Sequence, residues 1–179
     1  MRPPRHHKTG SSPNTRSTVL LTLYLPLLCL ILASVSLARA SDLFPEIMPA
    51  PEYEPDEVVG IQMRALGMNN EPFDNAGIEL TFRFASPDNK SVTGPIERFQ
   101  TLFDNVAYRP MIDHAELNIG EAEIRGEMAR VPVLISNENG DKAGYLFFLS
   151  RQSTGPHENC WMTDRVIRVT LPGEDSTIL

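Results

Sequence analysis

The spacing of hydrophobic residues changes near the middle of the chain. Between residues 56 and 106 apolar residues recur every three to four positions, the spacing of amphipathic helices. From residue 115 almost to the end, apolar and polar residues alternate, the spacing of strands. Helices followed by a run of antiparallel strands predict an α+β domain in which helices pack on one face of a sheet.

Two helices are predicted in the first half. The first begins with the acidic pair at Asp56 and ends near Asn69. Residues 86–89 are expected to form a turn, from which residues 90–93 lead out. The second helix is expected to have Gly94 as its N-cap and Pro95 at its first position. Its apolar stripe consists of Ile96, Phe99, Phe103 and Val106.

The segment between these helices allows two interpretations. Residues 78–85 alternate strictly between apolar and other positions, which by periodicity alone predicts a strand. The same residues also fit a short buried helix.

Successive strands are predicted over residues 115–119, 122–124 and 129–135, and a hairpin loop over residues 137–141. Residues 145–149 are apolar on both faces, which predicts a central strand. The last strand covers residues 160–162 and 166–169, with a bulge expected near Asp164. Pro132 lacks an N–H, so its strand is expected to have an edge or a bulge at that point.

The N-terminal residues predict export. Residues 19–37 are almost continuously apolar, follow a basic flank and end in Ala38-Arg39-Ala40, the form of a signal-peptidase site. We expect a signal peptide over residues 1–40 and a periplasmic, secreted or cell-surface protein. The alternative is an uncleaved anchor over residues 17–38 that holds the protein in the inner membrane. Contact with the membrane is expected only in that case.

The remaining chain divides into a proline-rich acidic tether over residues 41–55, a single domain over residues 56–170 and a flexible tail over residues 171–179. The leader holds five basic residues and no acidic one, so residues 41–179 hold eleven basic and twenty-three acidic residues. Their net charge is −12, against −7 for the whole chain. This charge excludes nucleic acid as a partner.

Removal of the leader would also remove Cys29 and leave Cys160 as the one remaining thiol, so no internal disulfide is expected. Cys160 is interpreted either as a buried small hydrophobe, which we favour, or as a reactive thiol. His114 and His157 have no second ligand at metal-binding spacing, and no cofactor motif is present. No metal or cofactor is therefore predicted.

Several short motifs carry a resemblance to a known family: Phe84-Ala85-Ser86-Pro87-Asp88-Asn89, Thr93-Gly94-Pro95, Arg98-Phe99, Tyr108-Arg109-Pro110-Met111, Leu149-Ser150-Arg151-Gln152 and Cys160-Trp161-Met162-Thr163-Asp164. Residues 55–169 resemble an uncharacterised domain-of-unknown-function family, number 4864, which is similar to the nuclear transport factor 2-like (SnoaL-like) cone folds. The resemblance implies helices on the concave face of a strongly bent sheet and a helix over residues 73–84. It also suggests a homodimer formed through the sheet. It implies no reaction, because cone folds include enzymes and binding proteins.

We predict a non-catalytic exported domain that binds a small apolar or amphipathic ligand, or a protein partner. The predicted ligand-binding residues are Tyr108, Arg109, Tyr145, Phe147, Arg151 and Trp161. The alternative is a small isomerase- or hydrolase-like enzyme, which needs an acid or base inside a pocket. Its candidate residues are Asp74, Asp113, His114 and Asp164.

Overall fold

The computed structural model describes residues 47–171, and within them the fold is α+β, as predicted. These residues form four α-helices: α1 (Pro55–Leu66), α2 (Ala76–Arg83), α3 (Pro87–Thr93) and α4 (Ile96–Thr101). Two short 3-10 helices follow, Leu102–Asp104 and Arg109–Met111. The strands of the described residues are β1 (Glu116–Ile119), β2 (Glu123–Arg125), β3 (Met128–Ser136), β4 (Lys142–Arg151) and β5 (Trp161–Val169). The predicted signal peptide or anchor, residues 41–46 of the predicted tether and the tail beyond residue 171 lie outside the described residues.

Helix α1 confirms the first predicted helix and begins at Pro55, which the sequence assigned to the tether. Proline is tolerated there because the first N–H of a helix has no partner within the helix. Glu54 and Glu57 form a capping box, in which the backbone N–H of Glu54 donates to Glu57 Oε2 at 2.9 Å. The apolar side of α1 is buried in the core, including Val58, Val59, Met63 and Leu66.

Helix α2 resolves the ambiguous segment in favour of a helix. Gly77, Ile78 and Thr81 are its buried residues, which is the spacing of one helical face. The segment that alternates in sequence extends two residues past the end of the helix. Those two residues, Phe84 and Ala85, are also buried. There the chain crosses to β5, since the N–H of Thr163 donates to the carbonyl of Phe84 at 2.9 Å.

Two of the helical predictions were wrong in detail. Residues 87–93 form helix α3 rather than a turn and an irregular segment, because Ser86 caps the helix by accepting from the N–H of Asn89 and Pro87 occupies the first position. The N-cap of α4 is Pro95 rather than Gly94, and the helix ends at Thr101. Val106 therefore does not belong to an apolar stripe and is 83% exposed.

The strands form one antiparallel sheet in the order β1–β3–β4–β5, with β2 also paired to β3. Strand β4 is central, as predicted. The predicted bulge in β5 is confirmed: Phe148 pairs with Arg165 but Leu149 pairs with Thr163, so Asp164 is the extra residue. The buried residues of β3 and β4 share the core with the helices, while Leu134 and Ile167 are exposed.

The interruption predicted at Pro132 is confirmed on one side of β3. Ile119 pairs with Val133 and Glu123 pairs with Arg130, so the neighbouring strand is interrupted between β1 and β2 and has one extra residue opposite Pro132. At that gap the N–H of Gly120 donates to the carbonyl of Pro132 at 2.9 Å. A Cβ atom on Gly120 would lie 2.7 Å from Pro132 Cγ, so glycine is required by this close approach.

Candidate functional site

A cavity of about 380 Å³ lies between the helices and the sheet. Its walls are mainly apolar. Phe99 and Phe103 line it from the helical side, and Phe147 and Val166 line it from the sheet. Phe147 and Val166 are register partners on β4 and β5, so the cavity extends over the strand pair that contains the bulge.

The inner end of the cavity is polar, and each of its buried side-chain nitrogen and oxygen atoms has a hydrogen-bond partner. Gln62, which is 1% exposed, donates from Nε2 to the carbonyl of Thr81 at 3.1 Å. Its Oε1 accepts from Thr163 Oγ1 at 2.8 Å, and Thr81 Oγ1 donates to the carbonyl of Gly77 at 2.9 Å. One amide therefore links α1, the last turn of α2 and β5. Buried polar groups that are satisfied in this way stabilise a cavity wall.

The mouth of the cavity lies between α3 and the bulge of β5. Asn89 Nδ2 donates to the carbonyl of Thr163 at 3.0 Å, which holds α3 against the strand. Val92 lines the cavity and is 67% exposed, which identifies this side as the opening. Asp88 is exposed here, and Asp164 is half-buried and accepts from Ser150 Oγ at 2.8 Å.

Two of the six predicted ligand-binding residues line this cavity. They are Phe147 and Tyr108, whose hydroxyl donates to the carbonyl of Val166 at 3.1 Å. That hydrogen bond fixes the phenol ring against the sheet beside the cavity.

The other four lie elsewhere. Tyr145 is buried in the core with its hydroxyl donating to the carbonyl of Ala107 at 2.8 Å, and Trp161 is buried in the same core. Arg151 is exposed and donates from Nε to the carbonyl of Asn159 at 3.1 Å. Arg109 lines a separate polar cavity of about 280 Å³, together with Glu97 and Asp104.

Asp164 is the one candidate acid or base among the four that lines the cavity. Asp74 and Asp113 are exposed. His114 Nδ1 lies 2.9 Å from the carbonyl oxygen of Met111, and its ring packs against Gly67, where a Cβ atom would be 2.9 Å from His114 Cε1. The four candidates therefore do not converge on one cavity.

The sequence prediction missed Gln62, Thr163, Asp88 and Val92. A signal existed for Gln62, a polar residue between Val59 and Met63 on an apolar helical face. A signal also existed for α3, because a serine followed by proline is a typical helix start. That signal would have placed Asp88 and Val92 on a helix.

Three titratable groups outside the cavity have altered pKa values. Burial raises the pKa of the Cys160 thiol, and the charge of Glu52 raises it further. Burial lowers the pKa of His157, and the positive charge of Lys90 adds to that effect. Burial also lowers the pKa of Lys90, whose Nζ donates to the carbonyl of Arg83 at 2.9 Å. The buried position confirms the favoured interpretation of Cys160 as a small core residue.

Within residues 47–171, no group of three or more histidine, cysteine or acidic side chains is arranged to hold a metal ion. Over the same residues, none of the helices has the length and apolar character needed to cross a bilayer.

No family model, curated protein or solved structure matches the chain.

Proposed function

We propose that the chain is an exported, non-catalytic domain that binds a small apolar or amphipathic molecule in the cavity between its helices and its sheet. The observation that carries this proposal is the cavity itself, whose volume of about 380 Å³ is that of a small-molecule site. Aromatic and aliphatic side chains form its walls, and a few polar groups lie at its two ends. This distribution is typical of sites that bind an apolar body and orient it by a few hydrogen bonds.

The positions of the candidate acids and bases support binding rather than catalysis. A proton transfer in the cavity needs a group within hydrogen-bond reach of the ligand. Asp74, Asp113 and His114 lie outside the cavity, and Asp164 already accepts a hydrogen bond from Ser150.

The cone fold and export are part of the same proposal. Helices that cover one face of an antiparallel sheet, together with a bulge in β5, support the cone-like arrangement implied by the resemblance. The apolar run and the Ala38-Arg39-Ala40 sequence support export.

The proposal is tested with N-phenyl-1-naphthylamine, an uncharged probe whose fluorescence rises in apolar surroundings. We expect saturable binding at one site. Val92→Trp places a large ring at the mouth and is expected to weaken binding about tenfold, a loss of about 1.4 kcal/mol. The cost to folding is small because Val92 is largely exposed.

Val106→Trp is the matched control, since Val106 is also an exposed valine of the helical half but does not line the cavity. Its affinity is expected to equal that of the native protein. Equal affinities of both variants and the native protein would show that the probe binds elsewhere, and absence of probe binding would refute the proposed function.

A further inference from the structure

We propose that a ligand enters this cavity with an apolar end first and keeps any polar group at the mouth, so that molecules with a polar group at both ends are rejected. The inference rests on the proposed function and adds the chemical class of the ligand. That class is a small hydrocarbon-like body, such as one substituted benzene ring, with at most one polar group.

The polar groups at the inner end are already paired with each other. The Gln62 amide donates from Nε2 to the carbonyl of Thr81 and accepts at Oε1 from Thr163 Oγ1. The Thr81 hydroxyl donates to the carbonyl of Gly77 at 2.9 Å. Gln62 and Thr163 are almost fully buried. A polar group of a ligand brought to this end would therefore lose its water without gaining an unpaired partner.

The polar side chains along the rest of the cavity are also paired within the protein. Asn89 donates from Nδ2 to the carbonyl of Thr163 and accepts at Oδ1 from Thr93 Oγ1 at 3.0 Å. The hydroxyl of Tyr108 donates to the carbonyl of Val166. Within residues 47–171, no buried side-chain nitrogen or oxygen lacks a hydrogen-bond partner. These walls therefore contact a ligand mainly through apolar surface.

The charged groups of β5 lie on the other face of the sheet. Phe147 lines the cavity, so Phe148 and Ser150 point to the opposite face, because strand residues alternate. The carboxylate of Asp164 accepts from Ser150 Oγ at 2.8 Å. The guanidinium of Arg165 has its Cζ 4.2 Å from the centroid of the Phe148 ring. Neither charge is therefore directed into the cavity.

The mouth is the place where a polar group keeps its water. Val92 is 67% exposed, and Asp88 on the same helix is exposed as well. A hydroxyl that remains between α3 and β5 stays hydrated, so it costs little on binding. The contrast between a hydrated mouth and a paired, buried inner end sets the direction of the ligand.

The volume sets the size of the body that enters. About 380 Å³ holds roughly a dozen water-sized groups, at about 30 Å³ for each. A benzene ring with a one-carbon substituent at each end fits this space, and its flat faces match the walls formed by Phe99 and Phe147.

Three ligands of one shape test this inference: p-xylene, 4-methylbenzyl alcohol and 1,4-benzenedimethanol. Each displaces N-phenyl-1-naphthylamine from the purified protein. We expect the first hydroxyl to weaken binding at most about fourfold, the effect of one lost methyl contact at the mouth. We expect the second hydroxyl to weaken it at least about tenfold further, because one hydroxyl must then enter the paired inner end. General hydrophobicity alone predicts an equal loss for each hydroxyl.

Thr163→Val removes the donor to Gln62 Oε1 and leaves an unpaired acceptor at the inner end. In this variant we expect the diol to gain about fivefold relative to the mono-alcohol, since its inner hydroxyl can donate to that oxygen. Thr101→Val is the matched control. It removes a hydroxyl that donates to the carbonyl of Arg98 on exposed α4, away from this cavity. It is expected to leave the ratio of the two affinities unchanged.

The outcomes separate this inference from the proposed function. If the probe binds and the second hydroxyl costs no more than the first, or if none of the three ligands displaces the probe, the inference is refuted while the proposed function stands. If Thr163→Val leaves the ratio unchanged, or Thr101→Val changes it as much, the paired inner end does not reject polar groups and the inference is refuted. If the probe does not bind at all, both fail. The ligand series uses the native protein, so it does not depend on how the variants fold.

Discussion

Gln62 connects three elements of the fold through one side chain. Its Nε2 donates to the carbonyl of Thr81 in the last turn of α2, where backbone carbonyls lack partners within the helix. Its Oε1 accepts from Thr163 Oγ1 on β5. An amide that is 1% exposed would be costly to bury without these two hydrogen bonds. Gln62 therefore holds the inner end of the cavity together.

Replacement of Gln62 by Leu is expected to lower the free energy of unfolding by about 2 kcal/mol. The change leaves the Thr81 carbonyl and the Thr163 hydroxyl without their partners in a buried site. Thr163→Val leaves Gln62 Oε1 without a donor and is expected to cost about 1 kcal/mol. Urea unfolding of both single variants and of the double variant measures the interaction.

In the double variant both members of the Gln62–Thr163 hydrogen bond are replaced by apolar groups. We therefore expect its loss to be smaller than the sum of the two single losses by about 1 kcal/mol. Strict additivity would contradict the view that these two side chains depend on each other.

Periodicity predicted which face of the sheet each residue occupies. It did not predict where along its strand a residue lies relative to the helices that cover the sheet. Tyr145 and Phe147 are two residues apart on β4 and both belong to the core. Phe147 lines the cavity, whereas Tyr145 lies beneath the segment at Ala107. On β5, Thr163 lines the cavity, whereas Trp161 is buried in the core. The position of the covering helices decides which residue meets the cavity, and a single sequence does not contain that position.

Helices α1 and α2 pack closely because Gly77 lies at their contact. A Cβ atom at Gly77 would lie 2.1 Å from the carbonyl oxygen of Ala65 and 3.0 Å from Cα of Asn69. Both are backbone atoms, which cannot move aside without shifting a helix. The N–H of Gly77 also donates to the carbonyl of Asn69 at 3.0 Å. Glycine therefore sets the distance between these helices.

Gly77→Ala is expected to lower the free energy of unfolding by about 3 kcal/mol, since it forces backbone atoms of the two helices apart. Gly60→Ala is the matched control within α1. A Cβ atom there meets only the flexible end of Arg64, at 3.0 Å, so alanine is expected to raise stability by at most about 1 kcal/mol through helix propensity. Thermal unfolding compares the two, and equal effects would contradict the close approach at Gly77.

The elements that the sequence predicted well are those with local signals. The acidic start of α1, the hairpin loop at residues 137–141 and the extra residue at Asp164 are examples. The separate strands β1 and β2 were also predicted, because Gly120 interrupts the alternation between them. The close approach of Gly120 to Pro132 across the sheet was not predictable from a single sequence. The alternation over residues 78–85 was misleading, because a helix and the buried chain after it together produced a strand-like pattern.

At the scale of the whole domain, residues 47–171 enclose a cavity because the helices do not cover the sheet evenly. Helix α1 packs directly against β1, β3 and β5, whereas α3 reaches the sheet through Asn89 and leaves space beside it. That space has an apolar middle, a hydrogen-bonded polar inner end and a mouth beside the exposed Val92. These three features together define what it can bind, and they connect the packing of the fold to its proposed function.

The crystal structure of the protein grown with N-phenyl-1-naphthylamine tests this account most directly. We expect one probe molecule between the helices and the sheet, with its rings against Phe99, Phe147 and Val166. A cavity closed by the movement of surrounding side chains, or a probe bound on the other face of the sheet, would contradict the account.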